Sequence, residues 1–175
     1  MDQAERLESL RRLQAGREAL GQALEGVDDD FARRKPPSGG WSILDCLEHM
    51  VASERYMLTR LQAATLADQP FEKTRREAKI AALAVDRTRR IVAPEPSHPR
   101  GRFRSLRDAL AALDATRAEV VHWVEGCEAD PRRLLTDHSI IEGPVTCSET
   151  LIMIAAHPAR HARQIEEIKV ALRSS

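Results

Sequence analysis

Aromatic residues are scarce in this chain: two Trp, one Tyr and three Phe make up 3% of 175 residues, and there are only 8 glycines. Strands draw on aromatic and β-branched side chains, whereas Ala, Leu, Arg and Glu, abundant here, favour helix. An excess of one charge is also missing, since 27 Lys plus Arg balance 27 Asp plus Glu for a formal net charge of zero. That balance leaves no electrostatic footprint for nucleic acid or for an anionic membrane surface. The basic runs Arg33-Arg34-Lys35 and Arg87 to Arg90 are offset by nearby acids and lack interleaved aromatics. The three cysteines, Cys46, Cys127 and Cys147, are odd in number and show no CxxC spacing, which excludes a disulfide scaffold and fits a reducing cytoplasm. No apolar run approaches the ~20 residues needed to span a bilayer. The opening MDQAERLESLRRLQ is charged throughout and reads as neither signal nor transit segment. No GxSxG, Gly-rich phosphate loop or Walker sequence is present. The expectation is one soluble, cytoplasmic domain acting on a small molecule, with no nucleic-acid and no membrane partner.

What is present is helical periodicity. Leu7, Leu10, Leu13, Leu20, Leu24 and Val27 recur at three- and four-residue steps and predict a first helix over 3–27. Asp28-Asp29-Asp30 ends it, and FARRKPPSGG reads as a loop. Ser42 is an N-cap with Asp45 three residues on, opening a second helix that runs to about Leu66; Trp41 sits just before the cap, placed to pack on the first turn. Residues 67–104 form a long connection with some helical content. Ser105 caps a third long helix to about Gly126, broken by Asp130-Pro131. Leu135 to Gly143, with His138 at its centre, reads as a loop. Thr146-Cys147-Ser148-Glu149 is a capping box for a last helix to about Leu172. Four capped helices and no convincing strand predict an all-α four-helix bundle, one domain over 1–175, with one long crossover connection.

Chemistry concentrates in AAHPARHARQIEEIK, residues 155–169. His157 and His161 are four positions apart, so they share a helix face, and a helical wheel sets them among Ile154, Ile165, Ile168 and Leu172. Two basic rings aimed into a core cost several kcal/mol without partners, and a shared metal ion removes that cost. On an arbitrary helix this spacing more often reflects one satisfied core histidine and one solvated one. In the second helix His49 lies well over 90° from the apolar stripe, beside Cys46, Ser53 and Tyr56, and faces the core only if that helix is packed on two sides. Cys46 competes as a ligand but reads more readily as a small buried hydrophobe. Glu48 is expected to face solvent and Glu54 to pair with an arginine. Arg160 and Arg163 read as a solvated face.

The order of PPSGGWSILDCLEHMVASE, a long variable connection, a third helix and HSIIEGPVTCSETLIMIAAHPARHARQIEEI resembles the DinB-like superfamily of metal-binding four-helix bundles, which includes bacillithiol- and mycothiol-dependent transferases. The resemblance rests on the Gly40-Trp41-Ser42 opening, the Gly143-Pro144 step and the Arg163-Gln164-Ile165 that follows the histidines. It implies a metal held by His49, His157 and His161, a homodimer, and a role on the substrate side or behind the ligands for His138, which by itself reads equally as a solvated loop histidine. Exposed apolar residues such as Trp123 would then serve the dimer. One departure is Pro158 between the two histidines of the last helix, where the missing amide predicts a kink or a re-aimed His157.

Three neutral imidazoles suit zinc or nickel, and also iron, copper or manganese, and three protein ligands leave a position open for water or substrate. Such an ion lowers the pKa of water towards ~7 and deprotonates a thiol, so hydrolysis and transfer to a low-molecular-weight thiol are both open to one site. The alternative is a non-catalytic bundle that keeps the metal for stability or for binding a small molecule or protein partner.

Overall fold

The computed structural model describes residues 1–68, 74–88, 91–137, 141 and 143–174. Among these residues six α-helices follow in chain order: α1 (Gln3–Ala23), α2 (Asp29–Arg33), α3 (Ile43–Gln62), α4 (Thr74–Val85), α5 (Leu106–Gly126) and α6 (Cys147–Arg173). Capping chemistry sets where the long ones start. Asp2, Ser42 and Thr146 accept a hydrogen bond from the amide three residues on, while Glu5, Asp45 and Glu149 reach back to the cap amides, closing three capping boxes. Ser105 caps α5 through the amide of Asp108.

The four long helices form a closed ring in which α1 lies against α6 and α5, and α3 against α5 and α6. This is the expected four-helix bundle. No helix among the described residues is long and apolar enough to cross a membrane. Locally, the structure corrects the expectation at three places. The first helix stops at Ala23, and Asp28 caps the short α2 through the amide of Phe31 rather than leading into a loop. The second long helix stops at Gln62. Three short strands then appear where none was expected: β1 (Thr65–Leu66), β2 (Leu134–Thr136) and β3 (Val145–Thr146) form an antiparallel sheet in that order. Leu135 pairs with both Thr65 and Thr146, so the sheet ties the exit of α3 to the entry of α6. Thr146 is at once the last strand residue and the cap of α6.

The core divides into two apolar clusters stacked along the bundle. One gathers Leu20, Ile43, Leu47, Met50, Leu113, Ile165 and Ile168; the other gathers Leu13, Met57, Leu61, Val120, Leu151 and Ile154. Every long helix passes from one cluster to the other through a short polar or small-residue interval. In α3 and α5 that interval holds Glu54 and Arg117, whose guanidinium donates to both carboxylate oxygens at 2.6 and 2.8 Å and to the Leu13 carbonyl at 2.7 Å. Glu54 thus pairs with an arginine as expected, and one guanidinium joins α3, α5 and α1. In α6 the interval holds His157 and His161.

In α1 it holds Gly16, a helix-interior glycine that costs ~1 kcal/mol relative to alanine. Its reason is contact: a Cβ at Gly16 would lie 2.3 Å from the Ala155 carbonyl oxygen and 3.6 Å from Pro158 Cγ. The backbones of α1 and α6 meet there with no room for a methyl group. Gly16→Ala is therefore expected to lower stability by about 2–3 kcal/mol, as overpacking does, despite alanine's better helix propensity. Chemical denaturation of the two proteins checks this; an unchanged or raised midpoint would contradict it.

Candidate metal centre

Helix α6 continues through Pro158 without ending, although proline withholds the amide that would meet the Ile154 carbonyl. Pro158 is buried against α1 beside Gly16. On the facing side of the same turn, His157 and His161 approach each other with Nε2 to Nε2 at 3.0 Å and their rings edge to face. The proline has not turned His157 away.

His49 reaches this pair from α3. That helix is packed by α5, α6 and a 3₁₀ turn (Glu95–Ser97) in the connection, so its flank carrying His49 is buried as well as its main stripe. The ring centroid of His49 lies 5.1 Å from that of His157 and 5.0 Å from that of His161. One ring nitrogen from each histidine falls within 4.8 Å of the others, a grouping able to hold a metal ion. Behind His49, Nδ1 donates to the Ser97 carbonyl at 2.9 Å, which assigns the proton to Nδ1 and leaves the Nε2 lone pair free. Trp41 covers one side of the ring at 4.8 Å between centroids, and Ser53 Oγ lies 3.4 Å from Nε2.

Burial decides the charge of these rings. His161 is 3% exposed, and burial, reinforced by the His157 and His49 rings and then by Arg87 and Arg160, holds its pKa well below the ordinary 6.5. Burial also lowers His49, more than the Ser97 carbonyl can raise it. Both are therefore neutral imidazoles at pH 7, the form a metal takes. The spacing also fits. Two nitrogens each bonded to one ion at 2.0–2.1 Å with angles of 90–110° stand about 2.9–3.4 Å apart, and the observed pair stands at 3.0 Å. In the absence of an ion a single N–H···N hydrogen bond joins the two Nε2 atoms, and His161 Nδ1 is buried without a hydrogen-bond partner.

The competing groups fall out of the site. Cys46 is fully buried in the apolar cluster with its pKa pushed up to about 12 by desolvation, so it stays a thiol. Glu48, expected in solvent, is 4% exposed, because the turn at 100–102 of the connection covers its side of α3. Arg160 is not solvated either: at 7% exposure it donates to the Asp86 carbonyl, while Arg163 donates to the Val85 carbonyl at 2.9 Å, and together they hold the C-terminal end of α4. Trp123, expected at an exposed interface, is half-buried against the second apolar cluster. His138 lies outside the described residues. Ser97, whose contribution is a backbone carbonyl, escaped the pattern reading of the chain; the helical wheel set Ser53 beside His49, as observed, and set Glu48 in solvent because its partners are backbone amides.

A four-helix bundle that converges three histidines from its second and fourth long helices is the class of protein this geometry defines. The sequence matches the DinB superfamily over residues 12–165, nearly the whole chain, and the chain belongs to that superfamily of metal-binding helical proteins. The fold is similar to the crystal structure of TT2238, a four-helix bundle protein, with a TM-score of 0.57, 22% sequence identity, and coverage of 93% of this chain and 98% of that one. No curated protein gives a significant match.

Neutral buried rings make the metal-free protein acid-sensitive. The folded chain holds His49 and His161 unprotonated while the unfolded chain protonates them near 6.5, so the unfolded state binds more protons as pH falls and stability drops with it. The melting temperature of metal-free protein is expected to be level above pH 7 and to fall steadily below about 6.5, with a shallower fall in His161→Ala. A flat profile from pH 7.5 to 5 in the wild type would contradict the assignment.

Proposed function

We propose that this protein is a divalent-metal enzyme in which His49, His157 and His161 hold the ion and a fourth position stays open for a reactant, making it a metal-dependent hydrolase or a thiol S-transferase. The observation that carries the reading is the 3.0 Å approach of two buried Nε2 atoms, with a third imidazole within 4.8 Å. Three histidines and no further ligand among the described residues is the donor set of an open site rather than a closed structural one. Zinc or nickel suits these nitrogens, with iron or manganese next.

An ion held there supplies a Lewis acid that acidifies water or a thiol at neutral pH. The chain's own residues prepare the place. Ser97 fixes the proton of His49 on Nδ1, burial keeps His161 unprotonated, and Trp41 shields one side of the His49 ring from solvent. Ser53, the nearest hydroxyl to Nε2 of His49, is placed to receive or pass a proton at the open side. A low-molecular-weight thiol is the second reactant in the transferase case, and the three unpaired cysteines fit a reducing cytoplasm where such thiols are plentiful.

A second reading rests on position. The histidines lie in the interval between the two apolar clusters and join α3 to α6, so a metal there would also brace the bundle without turnover. Elemental analysis of tag-free protein separates metal binding from its absence: about one ion per chain is expected in the wild type and none in the His49→Ala/His157→Ala/His161→Ala variant. Equal, sub-stoichiometric metal in both would end both readings. At ligand 100-fold above Kd the ion should add about 2.7 kcal/mol of stability. Turnover of esters, amides or electrophiles with thiol cofactors that disappears on chelation supports the enzyme; stabilisation with no turnover supports the brace.

A further inference from the structure

Glu48 and His49 are neighbours on α3, and both grip the same stretch of the crossover connection. The Glu48 carboxylate accepts hydrogen bonds from the amides of Arg100 at 2.8 Å, Gly101 at 2.9 Å and Arg102 at 2.9 Å. Three consecutive amides converge on it because Gly101 adopts φ of +73°, a left-handed conformation that glycine takes without strain. A carboxylate 4% exposed would be costly alone, and these three donors replace the water it gives up. Three residues upstream, the Ser97 carbonyl receives the Nδ1 proton of His49. Ser97 is itself held by its hydroxyl and its amide, both donating to the Pro94 carbonyl at 2.9 Å, so residues 94–97 form one compact turn. The backbone of 97–102 therefore runs from the ring of His49 to the carboxylate beside it, closing a loop through two adjacent side chains.

Resting on the metal-site reading above, we propose that Glu48 is a positioning residue for that site: by anchoring the 100–102 turn it keeps the Ser97 carbonyl behind His49, and so holds the imidazole in its ligating tautomer and direction. The Glu48 carboxylate is engaged by the three amides and is no part of the histidine cluster. Its effect passes entirely through the connection. A backbone carbonyl makes a dependable partner for a ligand ring only while its segment stays docked, and no other side chain among the described residues holds the amides of 100–102.

Two variants approach the contact from opposite sides. Glu48→Gln removes the negative charge from the amide cluster, and Gly101→Ala disturbs the same cluster by forcing a side chain into the left-handed conformation while leaving every residue around the ion unchanged. Nitrogen-15 spectra of the histidine rings in metal-free protein report the tautomer directly. The wild type should show His49 as the Nδ1-protonated form, and both variants should shift it towards a mixture while leaving His161 unchanged. Zinc affinity, measured by competition with a chromophoric chelator, should weaken by about 10- to 100-fold in both, the usual loss when a ligand's outer partner goes. Wild-type ring spectra and wild-type zinc affinity in both variants, with amide exchange over 97–102 accelerated, would overturn the proposal and leave Glu48 as a loop anchor only. Should Glu48→Gln fail to fold, Gly101→Ala alone decides. If the wild type takes up no zinc, the metal reading fails, and the tautomer comparison still decides the role of Glu48.

Discussion

The close approach of two imidazoles inside a hydrophobic bundle imposes more on this structure than any other contact. Two ring nitrogens 3.0 Å apart in such a place must share something between them, a proton or an ion, and burial holds His161 as the neutral form. The bundle answers at one level along its axis. There the apolar core is interrupted in all four long helices, by Gly16, by Glu54, by Arg117 and by the histidines themselves. The Glu54–Arg117 pair satisfies its own charges and a carbonyl of α1, so the polar interval is closed on one side of the bundle. On the other side it is left to the three histidines. Gly16 then lets α1 press against α6 directly behind Pro158, which supports the turn of α6 where backbone hydrogen bonding is weakest.

Much of this was readable in the chain. Caps at Ser42, Ser105 and Thr146 are local chemistry, expressed in residues three apart, and each opens a helix where it was expected. The face shared by His157 and His161 follows from a four-residue spacing alone. The three strands were not readable, because segments of two or three residues are too short to show alternation, and one of the two pairings joins Thr65 to Leu135, 70 residues apart. The end of the first helix at Ala23 was hidden because Leu24 and Val27 continue the apolar period past the last helical turn.

The histidine cluster was legible in its residue types and not in its supports. The place of His49 came from resemblance to a family, since its own wheel position sets it off the apolar stripe, and only the arrangement of α5, α6 and the connection around α3 shows that flank to be interior. Glu48 illustrates the same limit. A helical wheel ranks positions by their distance from one buried face, and it has no means of registering a loop that returns from 50 residues away to cover another. Backbone donors and acceptors such as Ser97 O and the amides of 100–102 carry no residue signature at all.

The docking of α4 on α6 bears on how a reactant or an ion would come and go. Beside the histidines, the end of α4 and the residues after it are fastened by Arg87 to Glu167 and Gln164, and by Arg163 and Arg160 to backbone carbonyls. Most of these contacts are partly solvated and polar, a kind that opens far more readily than a packed core, and the one ion pair among them, Arg87 with Glu167, is screened by salt. Opening at this edge would break a few polar fastenings, one of them the Arg87–Glu167 ion pair, and would leave the packed core intact, so local opening there would respond to ionic strength through that one pair while the resistance of the bundle to denaturation stays almost as it was.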